Sequence, residues 1–96
     1  MTKYETMFVL RPDADEETYD ALIERFQGII TDQGGEVTNV NRMGKSKLAY
    51  VVKKKYREGY YVLINYSGEP DVTAELERNF RISDDVIRYL IVKEEE

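Results

Sequence analysis

The 96-residue chain contains no cysteine and no histidine. Without cysteine there is no disulfide framework, no thiolate nucleophile and no sulfur-ligated metal. Without histidine the commonest general base and the commonest metal ligand at neutral pH are both missing, so Ser46, Ser67 and Ser83 cannot belong to a Ser-His-Asp arrangement. Gly34-Gly35 is followed by no phosphate-cradling pattern. No apolar run approaches the roughly 20 residues of a membrane span, and the opening MTKYETMFVL is too short and polar for a signal peptide. These absences argue against an enzyme. They predict no catalytic residues, no metal or other cofactor, no small-molecule substrate and no membrane partner. The expected setting is the cytoplasm.

What is present suffices for one modest core. Hydrophobic residues make up 42% of the chain and charged residues 34%, the balance of an ordinary globular domain rather than a disordered one. A single domain is expected over residues 1–93, with Glu94-Glu95-Glu96 as an acidic, frayed tail.

The element pattern is legible along the chain. In residues 3–10, Tyr4, Thr6, Phe8 and Leu10 alternate with Glu5, Met7 and Val9 as in a strand, which Arg11-Pro12 then breaks. Asp13 and Asp15 are alternative N-caps, with Glu16 completing a capping box from Asp13. Tyr19, Leu22, Ile23, Phe26, Ile29 and Ile30 form a helical apolar face, and Gly34-Gly35 ends it. Residues 36–53 read as one long strand interrupted by a bulge or bend at Gly44, residues 56–59 as a turn, and 60–66 as a strong strand. Pro70 opens a short helix carrying Val72, Leu76 and Phe80, and residues 86–93 form the last strand. The order strand, helix, strand, strand, helix, strand predicts an α+β, ferredoxin-like split βαβ sandwich: a four-stranded antiparallel sheet with two helices on one face.

Two features exceed what a bare scaffold needs. If Thr6, Phe8, Leu10, Tyr60, Val62, Ile64, Tyr66, Tyr89 and Ile91 face the helices, the open face carries Met7, Val9, Tyr61, Leu63, Leu90 and Val92 beside Arg88. A solvated face normally reads polar, so this set suggests a face for a protein partner or for self-association, with scattered apolar surface, itself common, as the plainer reading. The second feature is electrostatic. The chain is acidic, with net charge -5, yet seven of its fourteen basic residues lie between Arg42 and Arg57 with no acid among them. Arg42, Lys45, Lys47, Lys53, Lys54, Lys55 and Arg57 are candidate phosphate contacts, with Tyr50 and Tyr56 interleaved. Lysines also guard edge strands against aggregation, so composition alone leaves both readings open. Tyr50 can fill the core or offer its ring to a base, and the core is the preferred place.

Tyr4-Glu5, the run Gly44-Lys45-Ser46-Lys47-Leu48-Ala49-Tyr50 leading through Lys53 to Gly59-Tyr60, then Phe80-Arg81-Ile82, Val86-Ile87-Arg88-Tyr89-Leu90 and Lys93 resemble the family of ribosomal protein six of the bacterial small subunit. The resemblance spans essentially the whole chain. It implies the ferredoxin-like fold and a structural role on the ribosome. It further implies binding to the central domain of small-subunit ribosomal RNA jointly with ribosomal protein eighteen. Ser46 departs from the basic residue common at that position of the family's turn. Against this stand a ligand-sensing or homodimerising regulatory module on the same scaffold and, behind it, a small hydrolase. The scaffold does not decide among these. Nothing in the sequence marks a concave pocket, and Arg11-Pro12-Asp13 reads more simply as strand termination and helix capping.

Overall fold

Phe8, Leu10, Val62 and Ile64 alternate with more polar or smaller neighbours on two strands, and burying that set against two amphipathic helices organises the molecule. The computed structural model describes residues 1–52 and 55–94, without the side chains of 51 and 52. Its elements are β1 (Thr2–Leu10), α1 (Glu16–Asp32), β2 (Glu36–Val52), β3 (Tyr56–Gly68), α2 (Pro70–Ile82) and β4 (Val86–Lys93). The sheet runs β2-β3-β1-β4, every neighbouring pair antiparallel. This is the split βαβ arrangement expected from the element order.

Helix α1 begins at Asp15, whose carboxylate accepts the Thr18 N–H at 2.9 Å. Of the two candidate caps it is therefore the second that acts. Asp13 instead pairs with Arg11 at 3.2 Å, and Arg11 reaches Asp85 at 2.6 Å across the chain reversal before β4. The helix ends at Gly34, where φ is +85°. Helix α2 opens with Pro70, where a missing N–H costs nothing. Phe8, Phe26 and Phe80, one ring from the sheet and one from each helix, meet with centroids 4.8 to 5.1 Å apart. Buried Asn79 joins the helices: its Nδ2 donates to the Glu75 carbonyl at 2.9 Å, and its Oδ1 accepts from Arg25 at 3.3 Å.

Two details of the sheet differ from the reading of the sequence. Residues 56–59 are not a turn: β3 starts at Tyr56, and pairing with β2 extends to Val52↔Tyr56. The β2–β3 hairpin thus projects as a long arm beyond the end of β1. At the other end, Glu94 is held rather than frayed: its N–H donates to the Lys3 carbonyl at 2.9 Å and its carboxylate accepts from Asn65 at 2.9 Å. Residues 95 and 96, and with them the rest of the expected tail, lie outside the described residues.

The long strand β2 carries the shifts that decide which way its side chains point. Its register slips between Val37 and Asn39, between Arg42 and Gly44, and again between Lys47 and Val52. The first slip explains how Val37 and Val40, three apart, both pack on the core. The second leaves Met43 as the extra residue, and Gly44 accommodates the bend with φ +83°.

Candidate nucleic-acid interface

Strand pairing assembles the open face in rows. Leu63, Met7 and Leu90 stand side by side across β3, β1 and β4, as do Tyr61, Val9 and Arg88, and Val92 lies beside Glu5. Leu90 is 61% exposed and Val92 47%, whereas Val9 is buried beneath its neighbours. A shallow depression of about 200 Å³ lies among Met7, Val9, Tyr61, Arg88 and Leu90. Gly59 completes this corner by having no side chain. A Cβ there would sit 2.2 Å from Val9 Cγ1, so the hairpin arm can lie this close only with glycine.

The basic residues divide into two groups. Arg42 faces the helices, opposite Val62. Its guanidinium ion-pairs with Asp20, pairs with Glu16 at 2.9 Å, donates to the Tyr60 hydroxyl at 2.9 Å and lies 5.6 Å from the Tyr60 ring centre. Tyr60 in turn stacks on Tyr19 at 4.0 Å. The Asp20 and Tyr60 hydrogen bonds push the Arg42 pKa still higher. This guanidinium is a clasp between β2 and the first turns of α1.

Lys45, Lys47, Lys55 and Arg57 are all exposed, and among the described residues none has an ion pair within 4.0 Å. Lys47 stands opposite Glu58 in the strand pairing, and Lys55 Nζ lies 4.8 Å over the Tyr56 ring. Lys53 and Lys54 lie outside the described residues. Lys47, Lys55 and Arg57 border an open groove of about 590 Å³, lined by residues 47–50 and 55–58 of the arm and by Pro12.

Tyr50 is not in the core. It is 62% exposed, and the Arg88 guanidinium lies 5.3 Å from its ring centre. Strict alternation from Arg42 would put Tyr50 on the helix side, but the register shifts between Arg42 and Gly44 and again between Lys47 and Val52, so the alternation does not carry along the arm. Tyr50 of β2 and Arg88 of β4 thus meet although their strands are the two edges of the sheet. No feature of the sequence announces this contact; the wide spacing of Val37 and Val40 and the glycine at 44 signal only that the alternation is broken.

Chemically the arrangement can bind but has little with which to catalyse. Among the described residues no group of three or more acidic side chains is placed to hold a metal ion. What it offers is a projecting antiparallel arm with cations and aromatic rings on an otherwise acidic molecule, next to an apolar sheet face, on a ferredoxin-like scaffold; side chains of these kinds suit a nucleic-acid strand.

Comparison with known proteins places the chain in a family. The family described as Ribosomal protein S6 matches residues 3–93. The small ribosomal subunit protein bS6 of Moorella thermoacetica is 56% identical, covering 100% of this chain and 97% of its own. That of Caldanaerobacter subterraneus subsp. tengcongensis is also 56% identical, with 97% of each chain covered. The crystal structure of 30S ribosomal protein S6 from Thermotoga maritima superposes with a TM-score of 0.91 at 34% identity, covering 97% of this chain and 87% of that one. The chain belongs to the ribosomal protein S6 family. The P2 domain of the chemotaxis kinase CheA from Thermotoga maritima shares the fold alone, with a TM-score of 0.58 at 12% identity.

Proposed function

We propose that the chain is a structural protein of the small ribosomal subunit that binds the central domain of the subunit's ribosomal RNA together with ribosomal protein eighteen. Family membership supports the ribosomal, cytoplasmic setting. The single observation that carries the binding mode is the hairpin arm, where Lys45, Lys47, Lys55 and Arg57 stand exposed, with no ion pair among the described residues, while the rest of the chain is acidic.

The physical logic is a division of labour. A net charge of -5 opposes generic attraction to RNA, so the isolated chain binds it weakly. A basic partner on the apolar rows of Met7, Leu63, Leu90, Val9, Tyr61 and Arg88 offsets that repulsion and leaves the arm free to meet phosphates. In this assignment Arg42 supports the arm from behind through Asp20, Glu16 and Tyr60, and the exposed cations make the contacts.

A mobility-shift assay with a central-domain RNA fragment, run with and without ribosomal protein eighteen, tests the proposal. The expected result is a shifted complex at low protein concentration only when both proteins are present. Tight RNA binding by the chain alone, or none in any mixture, overturns it. In the second case self-association through the open face, seen by sedimentation, would favour a homodimerising module instead.

A further inference from the structure

We infer that the groove of the hairpin arm takes one unstacked nucleotide of the RNA, with the Tyr50 ring as the platform for its base. The inference rests on the RNA-binding reading above and adds to it a recognition element that phosphate contacts cannot supply.

Four observations lead here. Tyr50 is an aromatic side chain with 62% exposure on a strand, no part of the core and a wall of the groove. The Arg88 guanidinium lies 5.3 Å from its ring centre, a cation set over the aromatic face. Tyr56, lining the same groove, likewise has a cation over its ring, Lys55 Nζ at 4.8 Å. The volume, about 590 Å³, lies within the range of small-molecule sites, and the groove is open so that a chain can enter and leave it.

These features suit RNA better than an extended peptide. Lys47, Lys55 and Arg57 border the groove against one acid, Glu58, so the site favours an anionic strand. Flat rings braced by cations are surfaces for stacking, and bases free to stack on protein occur in the loops and bulges of RNA. The base lies on Tyr50, and the flanking phosphates meet Lys47 and Arg57. Because Arg88 also stands in the Tyr61-Val9-Arg88 row, the platform is braced by a residue of the face assigned to the protein partner. That gives joint binding a physical route: a partner that settles Arg88 settles Tyr50.

The test uses the full chain with ribosomal protein eighteen and the central-domain fragment, 2-aminopurine replacing each unpaired adenine in turn. Tyr50→Leu is expected to weaken binding by about 10-fold while leaving the salt slope unchanged, and Tyr50→Phe to bind within about 2-fold of wild type. One 2-aminopurine position should change fluorescence with wild type and not with Tyr50→Leu. Lys47→Gln should do the opposite, flattening the slope by about 0.7 to 0.9. Because Tyr50 is exposed, Tyr50→Leu is expected to melt as wild type does, which separates a binding defect from unfolding. If Tyr50→Leu binds normally while Lys47→Gln flattens the slope, RNA binding stands and the base platform is refuted. If Tyr50→Leu weakens association with the partner protein in the absence of RNA, the groove holds protein and the inference is refuted. If wild type does not bind RNA at all, the inference falls with the proposed function.

Discussion

At Arg42 the guanidinium donors are directed into the molecule, toward Asp20, Glu16 and the Tyr60 hydroxyl, whereas Lys47 and Arg57 on the same arm face solvent and have no ion pair among the described residues. The two kinds of cation should respond oppositely to substitution. Arg42→Met is expected to cost about 1 to 2 kcal/mol in denaturant unfolding, chiefly through the hydrogen bond to buried Tyr60, since the carboxylates are mostly exposed. It should leave the salt dependence of RNA binding unchanged. Lys47→Gln and Arg57→Gln should show the reverse, with stability within about 0.5 kcal/mol of wild type and a flatter salt slope. Nothing in the sequence separates these residues, because a run of cations without acids looks uniform until α1 brings Glu16 and Asp20 beneath one of them. The place of Tyr50 outside the core is hidden for a related reason: the register shifts on both sides of Lys47, and period-two reasoning carries no record of such shifts.

The elements themselves were legible because their signals are local and agree with one another. The apolar spacing of α1, the proline at the start of α2 and the β-branched and aromatic run of β3 each specify one conformation. Where the sequence misled, the reason was long-range: residues 56–59, with Gly59 among them, look like a turn, yet Gly59 pairs with Ser46 inside β3, at a point where Val9 leaves no room for a side chain. Gly59→Ala is expected to destabilise the protein by about 1 to 3 kcal/mol, as overpacking does, and adding Val9→Ala should recover part of the loss. Double-mutant thermal melts check this; additive losses would show that Val9 is not what excludes the side chain. At the helix level, Asp15→Ala removes the carboxylate that caps Thr18 and should cost about 1 kcal/mol, whereas Asp13→Ala should cost less.

For the whole molecule the charge pattern sets both stability and function. Asp13 is held below its ordinary pKa of 3.8 by Arg11, Asp15 by the Thr18 hydrogen bonds, and Glu75 and Glu77 below 4.5 by Arg78 and Arg81. Lowered carboxyl pKa values contribute stability that is complete above the unfolded values and lost as pH falls through the folded ones. Burial raises Tyr19 and Tyr66 above 10.0, so their contribution is complete below that pH and lost on further alkalinisation. With no histidine to titrate between these limits, unfolding free energy should be nearly flat from about pH 5 to 9 and fall on both sides, more steeply in acid. A step near pH 6.5 in a denaturation series would contradict this picture. The measurement that bears most directly on function is the salt dependence of RNA affinity for the protein assembled with ribosomal protein eighteen. Wild type should be compared with a variant in which Lys45, Lys47, Lys55 and Arg57 are all glutamine. If the arm carries the phosphate contacts, the logarithmic slope of the variant should be shallower by roughly 3, the value for about four lost contacts. Equal slopes would place the RNA contacts elsewhere on the molecule and contradict the account.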